Sequence, residues 1–373
     1  MIEFTTERAS IAKEILRKAV CNHEITSKQN ILRADKINFK SNSDQIIQTD
    51  QFGFIRQKPL NSPSKSEIEG LKKKLFQWED ILQNYTEYKS TQFKQLKQLT
   101  REGIPDNLRG TFWIKYAEVS YYHIHGLYNQ LVLITIPPTL ESETTILKDL
   151  TRTFPLNSHF NEQYGIGQRS LFHVLSAYSH YNKEIGYVQG MSFIAALLLI
   201  YMDEENAFYC LHSIMKKYEL EGFYLEGFPM LRKKFYVLLN LMKKFVPKVY
   251  QLLYENRVSP TLYASEWFIT LFTRLLDFNI LVRIFDVFLL EGFKVIFRFT
   301  IAVMKIKQDE IIKTNGDLSS VMNVMKNLFT NIDTDELFEV GFSLYLSKDH
   351  IKHYEDEFEK VKGNKLNEFI SIL

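Results

Sequence analysis

The amino-acid sequence predicts an all-α protein, a multi-helical array preceded by a flexible N-terminal arm. Apolar residues recur at three- and four-residue spacing, which places side chains on one face of a helix. Strand-like alternation between glycine turns is scarce, and no repeat of fixed period is present. An array of helices is therefore favoured over an α/β sheet. Three of the predicted helical stripes are Leu171, Val174, Leu175 and Tyr178; Leu238, Leu241, Met242 and Phe245; and Ile269, Phe272, Leu275 and Leu276.

The first segment, residues 1–65, is rich in Asn, Ser, Lys and Gln. A turn-rich stretch from Pro59 to Ser64 closes it, and we interpret the whole segment as a mobile arm. Residues 66–100 follow as a docking helix, because apolar side chains from Ile68 to Leu82 share one face. The lysines from Lys72 to Lys74 are interpreted as its solvated face rather than as a binding site for an acidic surface.

The main domain is assigned to residues 101–345. It begins where Gly103-Ile104-Pro105 interrupts the helical pattern. Pro105 suits the start of a helix, because its missing N–H falls among the donors that the first turn leaves unpaired. Residues 346–373 form a C-terminal helical tail, in which the run from Tyr354 to Lys362 predicts a charged helix with a frayed end.

Composition limits the class of protein. The chain has 373 residues, of which 45% are hydrophobic and 14% aromatic, enough for a large core and more than one folding unit. The 46 basic and 44 acidic residues leave a net charge of +2, which creates no global field that attracts nucleic acid or anionic lipid. We therefore expect no nucleic-acid partner, and any charged partner must meet a local patch.

The same features bear on location. Cys21 and Cys210 lie far apart and supply neither a disulfide framework nor a zinc site, which indicates a reducing compartment. Acids occur at the start of the chain, where a signal peptide has basic residues. The longest apolar stretch, Met191 to Met202, contains Ser192 and is shorter than the roughly 20 residues that span a bilayer. The sequence thus indicates a cytoplasmic protein with at most peripheral membrane association.

Several kinds of chemical site are absent or weak in the sequence. No Gly-x-x-x-x-Gly-Lys-Ser/Thr loop is present to hold phosphates, so the chain is not expected to bind GTP by itself. The pairs His123/His125 and His350/His353 lack a third ligand, and we expect no metal site there. The acids at 203–205 precede an apolar helical stretch, where they complement the helix dipole.

Two short motifs carry the candidate chemistry: Ile146 to Thr153, which contains Arg152, and Gly186 to Met191, which contains Gln189. Arginine and glutamine are the side chains that phosphoryl transfer from GTP to water most requires, one to neutralise developing charge and one to orient the attacking water. Taken singly, an Asp-x-x-Arg pair is typically a surface ion pair, and Tyr-x-Gln carries no specific meaning. Because a phosphate loop is missing, the pair points to nucleotide held by a partner.

The two motifs are more informative together with other blocks of the sequence, because several blocks occur in the order typical of one family. From about Gly103 to near Met304 the sequence resembles the TBC domain of Rab GTPase-activating proteins. The matching blocks are Gly103-Ile104-Pro105-Asp106-Asn107-Leu108-Arg109-Gly110 with Trp113; Ile146, Asp149 and Arg152 with Thr153-Phe154-Pro155; Tyr187 and Gln189; Leu262 to Phe272; and Arg283 to Gly292. Two positions depart from the family pattern: Glu266 stands where glutamine is frequent, and Phe285 where tryptophan is common. Neither falls on the candidate pair, so they bear on partner preference or local packing.

The resemblance implies two helical lobes and catalysis in trans by two fingers. Arg152 would enter the nucleotide site of a bound Rab and stabilise charge in the transition state. Gln189 would orient the hydrolytic water in place of the glutamine of the Rab itself. Asp149 would hold Arg152 from one helical turn earlier, on the same helical face. Tyr187 would fix the loop that presents Gln189, and Gly190 would allow close backbone approach to the partner.

The implied partner is a GTP-bound Rab-family GTPase, which brings the GTP and Mg²⁺, so the chain needs no cofactor of its own. It would act as a GTPase activator rather than as an enzyme with its own substrate. It would regulate vesicle trafficking from the cytoplasm and reach endomembranes only peripherally, through its Rab. Arg109 is expected to be structural, packed near Trp113. The alternative is a catalytically weak Rab-binding scaffold of the same fold, and the presence of both Arg152 and Gln189 favours the activator.

Overall fold

The computed structural model describes residues 49–56, 64–134 and 141–361, and these residues form helices and turns without a β-strand. The predicted all-α fold is confirmed. This part of the chain contains one short 3₁₀-helix, Leu220–Phe223, and twenty α-helices. In chain order the α-helices are α1 Lys65–Gln83, α2 Tyr85–Ser90, α3 Phe93–Glu102, α4 Asp106–Tyr116, α5 Val119–Tyr122, α6 Leu127–Ile134, α7 Glu141–Leu150, α8 Ile166–Tyr181, α9 Met191–Tyr201, α10 Glu204–Lys217, α11 Pro229–Phe245, α12 Pro247–Glu255, α13 Pro260–Tyr263, α14 Ser265–Ile269, α15 Phe278–Glu291, α16 Lys294–Ile306, α17 Gln308–Ile312, α18 Leu318–Lys326, α19 Thr334–Ser343 and α20 Lys348–Val361.

The helices form two compact units, of which the first takes its described residues from 1–83 and 105–213. Its centre is α9, which is buried from Met191 to Leu199. The neighbouring α8 packs against α6, α7 and α9, and its predicted apolar stripe is buried. Where α4 contacts α9, the Tyr201 carbonyl lies in the space that a Cβ at Gly110 would occupy. Glycine at this position thus lets the two helices approach closely.

The second unit takes its described residues from 84–104 and from the chain after Ser213. Its centre is α16, which is buried from Val295 to Met304 and packs against α11, α15 and α19. Phe297 lies edge-on to Phe268, with 5.6 Å between ring centroids. The predicted stripe on α11 also faces this core, since Leu238, Leu241 and Met242 are fully buried.

The predicted docking helix is divided. Helix α1 ends at Gln83, and α2 and α3 follow it within the segment 66–100. Only the second half of α1 docks: Trp78 and Ile81 are fully buried, and Trp78 packs edge-on against Phe112 at 4.7 Å between centroids. Leu71, in the first half, remains 61% exposed. Lys72 and Lys73 are exposed, as expected for the solvated face of the helix.

One predicted stripe does not lie on a single helix. Helix α14 ends at Ile269, and turns occupy the residues that follow. Leu271 and Phe272 adopt left-handed φ values of 51° and 64°. Because two successive left-handed residues cannot continue a right-handed helix, the interpretation of Ile269 to Leu276 as helical is wrong. Leu271, Phe272 and Leu276 are nevertheless buried, so the apolar pattern reports burial and not helical period.

The predicted interruption at Gly103-Ile104-Pro105 falls between α3 and α4. Gly103 has a φ of 100° and ends α3, and Pro105 directly precedes the first residue of α4. The C-terminal tail begins with the predicted charged helix, α20, which packs against α11 and buries Ile351 and Phe358. The expected frayed end at residues 362–373 lies outside the described residues.

Candidate functional site

The candidate site lies in the first unit and includes the turn after α7. Because α7 ends at Leu150, Arg152 lies in that turn and not on the helical face that the sequence predicted. Asp149 still reaches it: Nη2 of Arg152 donates to Oδ1 of Asp149 at 2.6 Å. The Arg152 side chain is 40% exposed and that of Asp149 only 3%. A buried carboxylate thus anchors a guanidinium that remains accessible to solvent.

The second oxygen of Asp149 joins the arginine motif to the glutamine motif. It accepts a 2.6 Å hydrogen bond from the Tyr187 hydroxyl. Burial and this hydrogen bond raise the pKa of Tyr187 well above its usual value, so the hydroxyl stays protonated and remains a donor. The hydrogen bond to Asp149 also raises the pKa of Arg152, so the guanidinium keeps its charge. Asp149 is therefore shared by the two segments.

Gln189 contacts the same guanidinium. With the amide oxygen turned toward Arg152, Oε1 of Gln189 accepts from Nη2 at 2.6 Å and from Nη1 at 2.8 Å. This orientation satisfies both groups, because a guanidinium only donates and a carbonyl oxygen only accepts. Gln189 is exposed. The two side chains singled out in the sequence are thus adjacent, and both reach solvent.

The loop that carries Gln189 requires backbone conformations suited to glycine. Gly186 has a φ of 62° and Gly190 a φ of 107°. Residues with a Cβ rarely adopt such values, because the Cβ approaches the neighbouring carbonyl. Gly190 directly precedes α9, and the N–H of Met191 donates to the carbonyl of Val188 at 3.1 Å. This short turn sets where Gln189 projects.

Two buried hydroxyls, for which the sequence predicted no role, also hold the site together. The Thr153 hydroxyl donates to the Asp149 carbonyl at 2.7 Å and lies 3.0 Å from the Ser192 hydroxyl. Both Thr153 and Ser192 are fully buried. They tie the turn that contains Arg152 to the first turn of α9. The available signal was Ser192 itself, a single polar residue in an apolar stretch, since buried hydroxyls usually have partners.

Residues 49–56 lie against the segment that follows Arg152, and we call them the N-terminal strap. Phe54 pairs with Asn157 in an isolated antiparallel bridge, and Phe52 is only 7% exposed. The expectation of a mobile arm over residues 1–65 does not hold for the strap, because its backbone and aromatic groups are paired with the first unit. Of the rest of the arm, residues 1–48 and 57–63 lie outside the described residues, and Lys65 is the first residue of α1.

Arg109 lies in a different cluster. It is 5% exposed, pairs with Asp106, and lies 3.3 Å from the Tyr201 hydroxyl. Tyr201 in turn packs edge-on against Trp113, with 4.7 Å between ring centroids. Arg109 therefore contributes to the packing of α4 near Trp113.

The two departures from the family pattern lie in the second unit. Glu266 pairs with Arg274 at 2.6 Å, and both side chains are exposed. Phe285 is 1% exposed and packs against Phe288 at 5.6 Å between centroids. Glu266 is thus on the surface, while Phe285 belongs to the core.

Two histidines of the first unit lie beside acids at the start of α10. His123 lies 3.4 Å from Glu205, and His173 lies 3.1 Å from Glu204, the first residue of α10. In the parts of the chain that the structure describes, no group of three His, Cys, Asp or Glu side chains is placed to hold a metal ion. Among the described helices, none combines the length and apolar character needed to cross a bilayer.

A basic cleft of about 340 Å³ opens in the second unit. Its lining includes five cationic side chains: Lys97, Arg101, Lys294, Arg298 and Lys348. The buried carboxylate of Glu291 pairs with three of them, at 2.6 Å from Arg101, 2.8 Å from Lys294 and 3.3 Å from Lys97. One carboxylate therefore faces several cations, and the cleft keeps an excess of positive charge.

Parts of this chain are similar to known proteins. Residues 106–312 match the family model described as the Rab-GTPase-TBC domain. The chain is 32% identical over 290 residues to TBC1 domain family member whacked of Drosophila melanogaster, covering 76% of this chain and 78% of that protein. It is 30% identical over 308 residues to Rab GTPase-activating protein tbc-11 of Caenorhabditis elegans. That match covers 81% of this chain but only 33% of the relative, so the chain spans about a third of that protein's length.

Solved structures show the same fold. The TBC domain of a Chlamydomonas flagellar RabGAP superposes with a TM-score of 0.64 and 24% identity, covering 80% of this chain and 99% of that chain. The TBC domain of Skywalker/TBC1D24 from Drosophila melanogaster, solved in complex with inositol(1,4,5)triphosphate, superposes with a TM-score of 0.53 and 17% identity. The latter match covers 72% of this chain and 97% of that domain.

Proposed function

The chain belongs to the Rab-GTPase-TBC domain family, and we propose that it accelerates GTP hydrolysis by a Rab GTPase to which it lends Arg152 and Gln189. The observation that carries the proposal is the adjacency of these two exposed side chains over a buried Asp149. An arginine and a glutamine are the groups that GTP hydrolysis requires and that a partner can supply. The chain itself has no phosphate loop, so the nucleotide and its Mg²⁺ would come with the Rab.

Arg152 would stabilise the transition state by charge. Its guanidinium is permanently cationic, and the anchor on Asp149 limits the geometries that it samples. A fixed cation interacts more strongly with the charge that develops on the transferred phosphoryl group than with bound GTP, and this difference lowers the barrier. Arginine fingers of this kind are worth on the order of 10³ to 10⁵ in rate.

Gln189 would orient the attacking water. In the resting chain its amide oxygen is occupied by Arg152. When phosphate oxygens accept the hydrogen bonds that the guanidinium donates, Oε1 of Gln189 becomes available to accept a hydrogen bond from water. The turn at Gly190 then presents the amide from the start of a rigid helix, α9. We place this activity in the cytoplasm, on a vesicle-trafficking route that the chain reaches through its Rab.

A panel of GTP-loaded Rabs tests the proposal. We expect the purified chain to accelerate hydrolysis by at least one Rab, and Arg152→Lys and Gln189→Ala to lose most of that acceleration while still binding it. Arg232→Lys on α11 is the control, since Arg232 is an exposed arginine of the second unit. Binding without acceleration across the panel would instead support the catalytically weak scaffold. Full activity of Arg152→Lys would exclude Arg152 as the finger.

A second binding function is favoured by the basic cleft. We propose that it holds an anion bearing several phosphates, such as an inositol phosphate or the headgroup of a phosphoinositide lipid. Burial of Lys294, together with the charges of Lys97 and Arg298, lowers the pKa of Lys294 despite its pairing with Glu291. Burial is the main cause of this lowering and the neighbouring cations add to it, so a bound anion would favour the charged form of Lys294. Arg298 also keeps a buried Nε without a hydrogen-bond partner.

The cleft proposal rests on these charges; the likeness to the Skywalker domain extends only to the fold and suggests the probe. Inositol(1,4,5)trisphosphate in calorimetry tests the shared chemistry, and vesicles with and without a phosphoinositide separate a lipid headgroup from a soluble ligand. We expect Lys348→Glu to weaken binding strongly. Lys352→Glu, on the same helix and paired with Asp356, is the control. Equal binding by both variants would remove the cleft as the site.

A further inference from the structure

The N-terminal strap is bound to the segment 153–158, which directly follows Arg152, by three hydrogen bonds. The N–H of Ile55 donates to the Leu156 carbonyl at 2.9 Å, and the N–H of Ser158 donates to the Gly53 carbonyl at 2.7 Å. The side-chain amide of Asn157 donates to the Phe52 carbonyl at 2.9 Å. The strap thus pairs with this segment along its length, although it lies about a hundred residues away in sequence.

Aromatic packing extends the same contact toward the core. Phe54 of the strap lies edge-on to Phe154 at 5.7 Å between centroids. Phe154 also lies edge-on to Phe193 of α9 at 5.6 Å. Edge-to-face pairs of this kind contribute about 0.5–1.5 kcal/mol beyond the area they bury. Phe154 is therefore held between the strap and α9, two residues after Arg152.

The backbone of Phe154 needs such support. Its φ is 45°, a left-handed conformation that is a genuine outlier for a bulky side chain. A residue in such a conformation costs on the order of 1–3 kcal/mol and persists only where its surroundings hold it. Without Phe54 one side of Phe154 loses its packing, and the strained backbone can relax. Any relaxation at Phe154 changes the direction in which the preceding turn presents Arg152.

The strap has a local structure of its own that keeps Phe54 in place. Oδ1 of Asp50 accepts hydrogen bonds of 2.9 Å from the N–H groups of both Phe52 and Phe54. Gly53, with a φ of 87°, allows the tight turn between them. The strap lies outside residues 106–312, which match the family model.

We propose that the strap is a positioning element for the arginine finger, and that Phe54 is its main positioning residue. The proposal rests on the function proposed above, because it concerns how Arg152 is presented to a Rab. Phe54 contacts neither Arg152 nor the nucleotide in this scheme; it acts through Phe154. Its loss should therefore lower the rate of hydrolysis within the complex rather than the affinity for the Rab.

The test compares Phe54→Ala, Phe54→Tyr and Phe76→Ala in the full chain, with a Rab that the wild-type chain accelerates. We expect Phe54→Ala to lower kcat about tenfold to a hundredfold with little change in KM, since a misplacement near 1 Å has effects of this size. Phe54→Tyr keeps the ring contact and should retain wild-type activity. Phe76→Ala, at a position that is 72% exposed on α1, is the control and should be neutral.

Hydrogen exchange at the Ser158 amide provides a readout independent of activity, because this amide donates to the strap. We expect faster exchange there in Phe54→Ala and unchanged exchange in Phe76→Ala. An unchanged kcat in Phe54→Ala, or a rise in KM alone, would overturn the positioning role. Should Phe54→Ala fail to fold, Asp50→Ala loosens the strap without touching Phe154 and must give the same kcat loss. If the wild-type chain accelerates no Rab, the proposed function fails. Unchanged exchange at the Ser158 amide in Phe54→Ala would separately refute the proposal that Phe54 holds the strap in place.

Discussion

Asp149→Asn tests how the buried carboxylate serves the arginine finger. Asp149 accepts from Arg152 through one oxygen and from Tyr187 through the other, each at 2.6 Å. Asparagine has nearly the same shape but only one accepting oxygen, and its NH₂ group donates. One of the two donors therefore loses its acceptor, and a donor faces a donor. The substitution changes charge and hydrogen bonding while leaving the volume of the site almost unchanged.

The expected magnitudes follow from burial. Leaving a buried donor unsatisfied costs about 1–3 kcal/mol. Water can replace the lost acceptor less easily at the Tyr187 hydroxyl than at Arg152, because Tyr187 is the more buried of the two. The free energy of unfolding should fall by that amount. On the rate, two effects compete: loss of the negative charge leaves Arg152 less neutralised, while loss of the anchor leaves it less fixed. Since Arg152 stays cationic in either case, we expect the second effect to dominate, with a loss in kcat on the order of tenfold to a hundredfold.

Single-turnover hydrolysis of Rab-bound GTP measures this loss, with thermal or chemical unfolding of the same variant measured alongside. The double variant Asp149→Asn with Arg152→Ala supplies the decisive comparison. If Asp149 acts only by holding Arg152, the double variant should hydrolyse no more slowly than Arg152→Ala alone. Wild-type kcat in Asp149→Asn, or a further loss in the double variant, would refute the anchoring argument.

Three further outcomes are expected. Tyr187→Phe removes one hydrogen bond to Asp149 and should cost about 1 kcal/mol in the free energy of unfolding, with a smaller loss of kcat than Asp149→Asn; an equal or larger rate loss would contradict this order. Gly190→Ala forces a Cβ into a φ of 107° and should destabilise the chain by about 1–2 kcal/mol and slow hydrolysis, whereas unchanged unfolding would show that the turn relaxes freely. Although burial opposes it, hydrogen bonds from Arg101 and Lys294 lower the pKa of Glu291 to about 2, well below the usual range of a glutamate. A lowered folded-state pKa gives stability that is present above about pH 4.5 and lost as the pH falls toward 2. The free energy of unfolding should therefore fall over that window by about 3 kcal/mol more in the wild type than in Glu291→Gln, and equal losses would contradict the pairing.

Local patterns in the sequence were sufficient for the fold class and for one contact of the site. The helical stripes on α8 and α11 predicted burial because many positions repeat the same period. Asp149 and Arg152 are close in sequence, so their pairing followed from spacing even though α7 ends between them. The stripe from Ile269 to Leu276 misled because apolar periodicity records which residues are buried and carries no information on the left-handed φ at Leu271.

The contacts that complete the site join segments distant in sequence, and local periodicity does not predict such contacts. Gln189 meets Arg152 only because α9 packs against α7. Thr153 meets Ser192 for the same reason, through one polar position in an otherwise apolar helix. The docking of the strap was harder still to predict from the sequence. Its Asn- and Ser-rich surroundings are typical of a mobile segment, while its docking depends on Phe52 and Phe54.

The contact between Arg152 and Gln189 also bears on the order in which the two side chains are released when a nucleotide binds. In the resting chain Nη2 of Arg152 supplies hydrogen bonds to both Asp149 and Gln189. The bond to Asp149 is buried and charge-assisted, while the Gln189 amide is neutral and exposed to water, so the second bond is the weaker of the two. An incoming phosphate would therefore displace Gln189 before Asp149. That order keeps Arg152 anchored at the moment when the amide oxygen of Gln189 is released toward the water, so one event would bring both fingers into use.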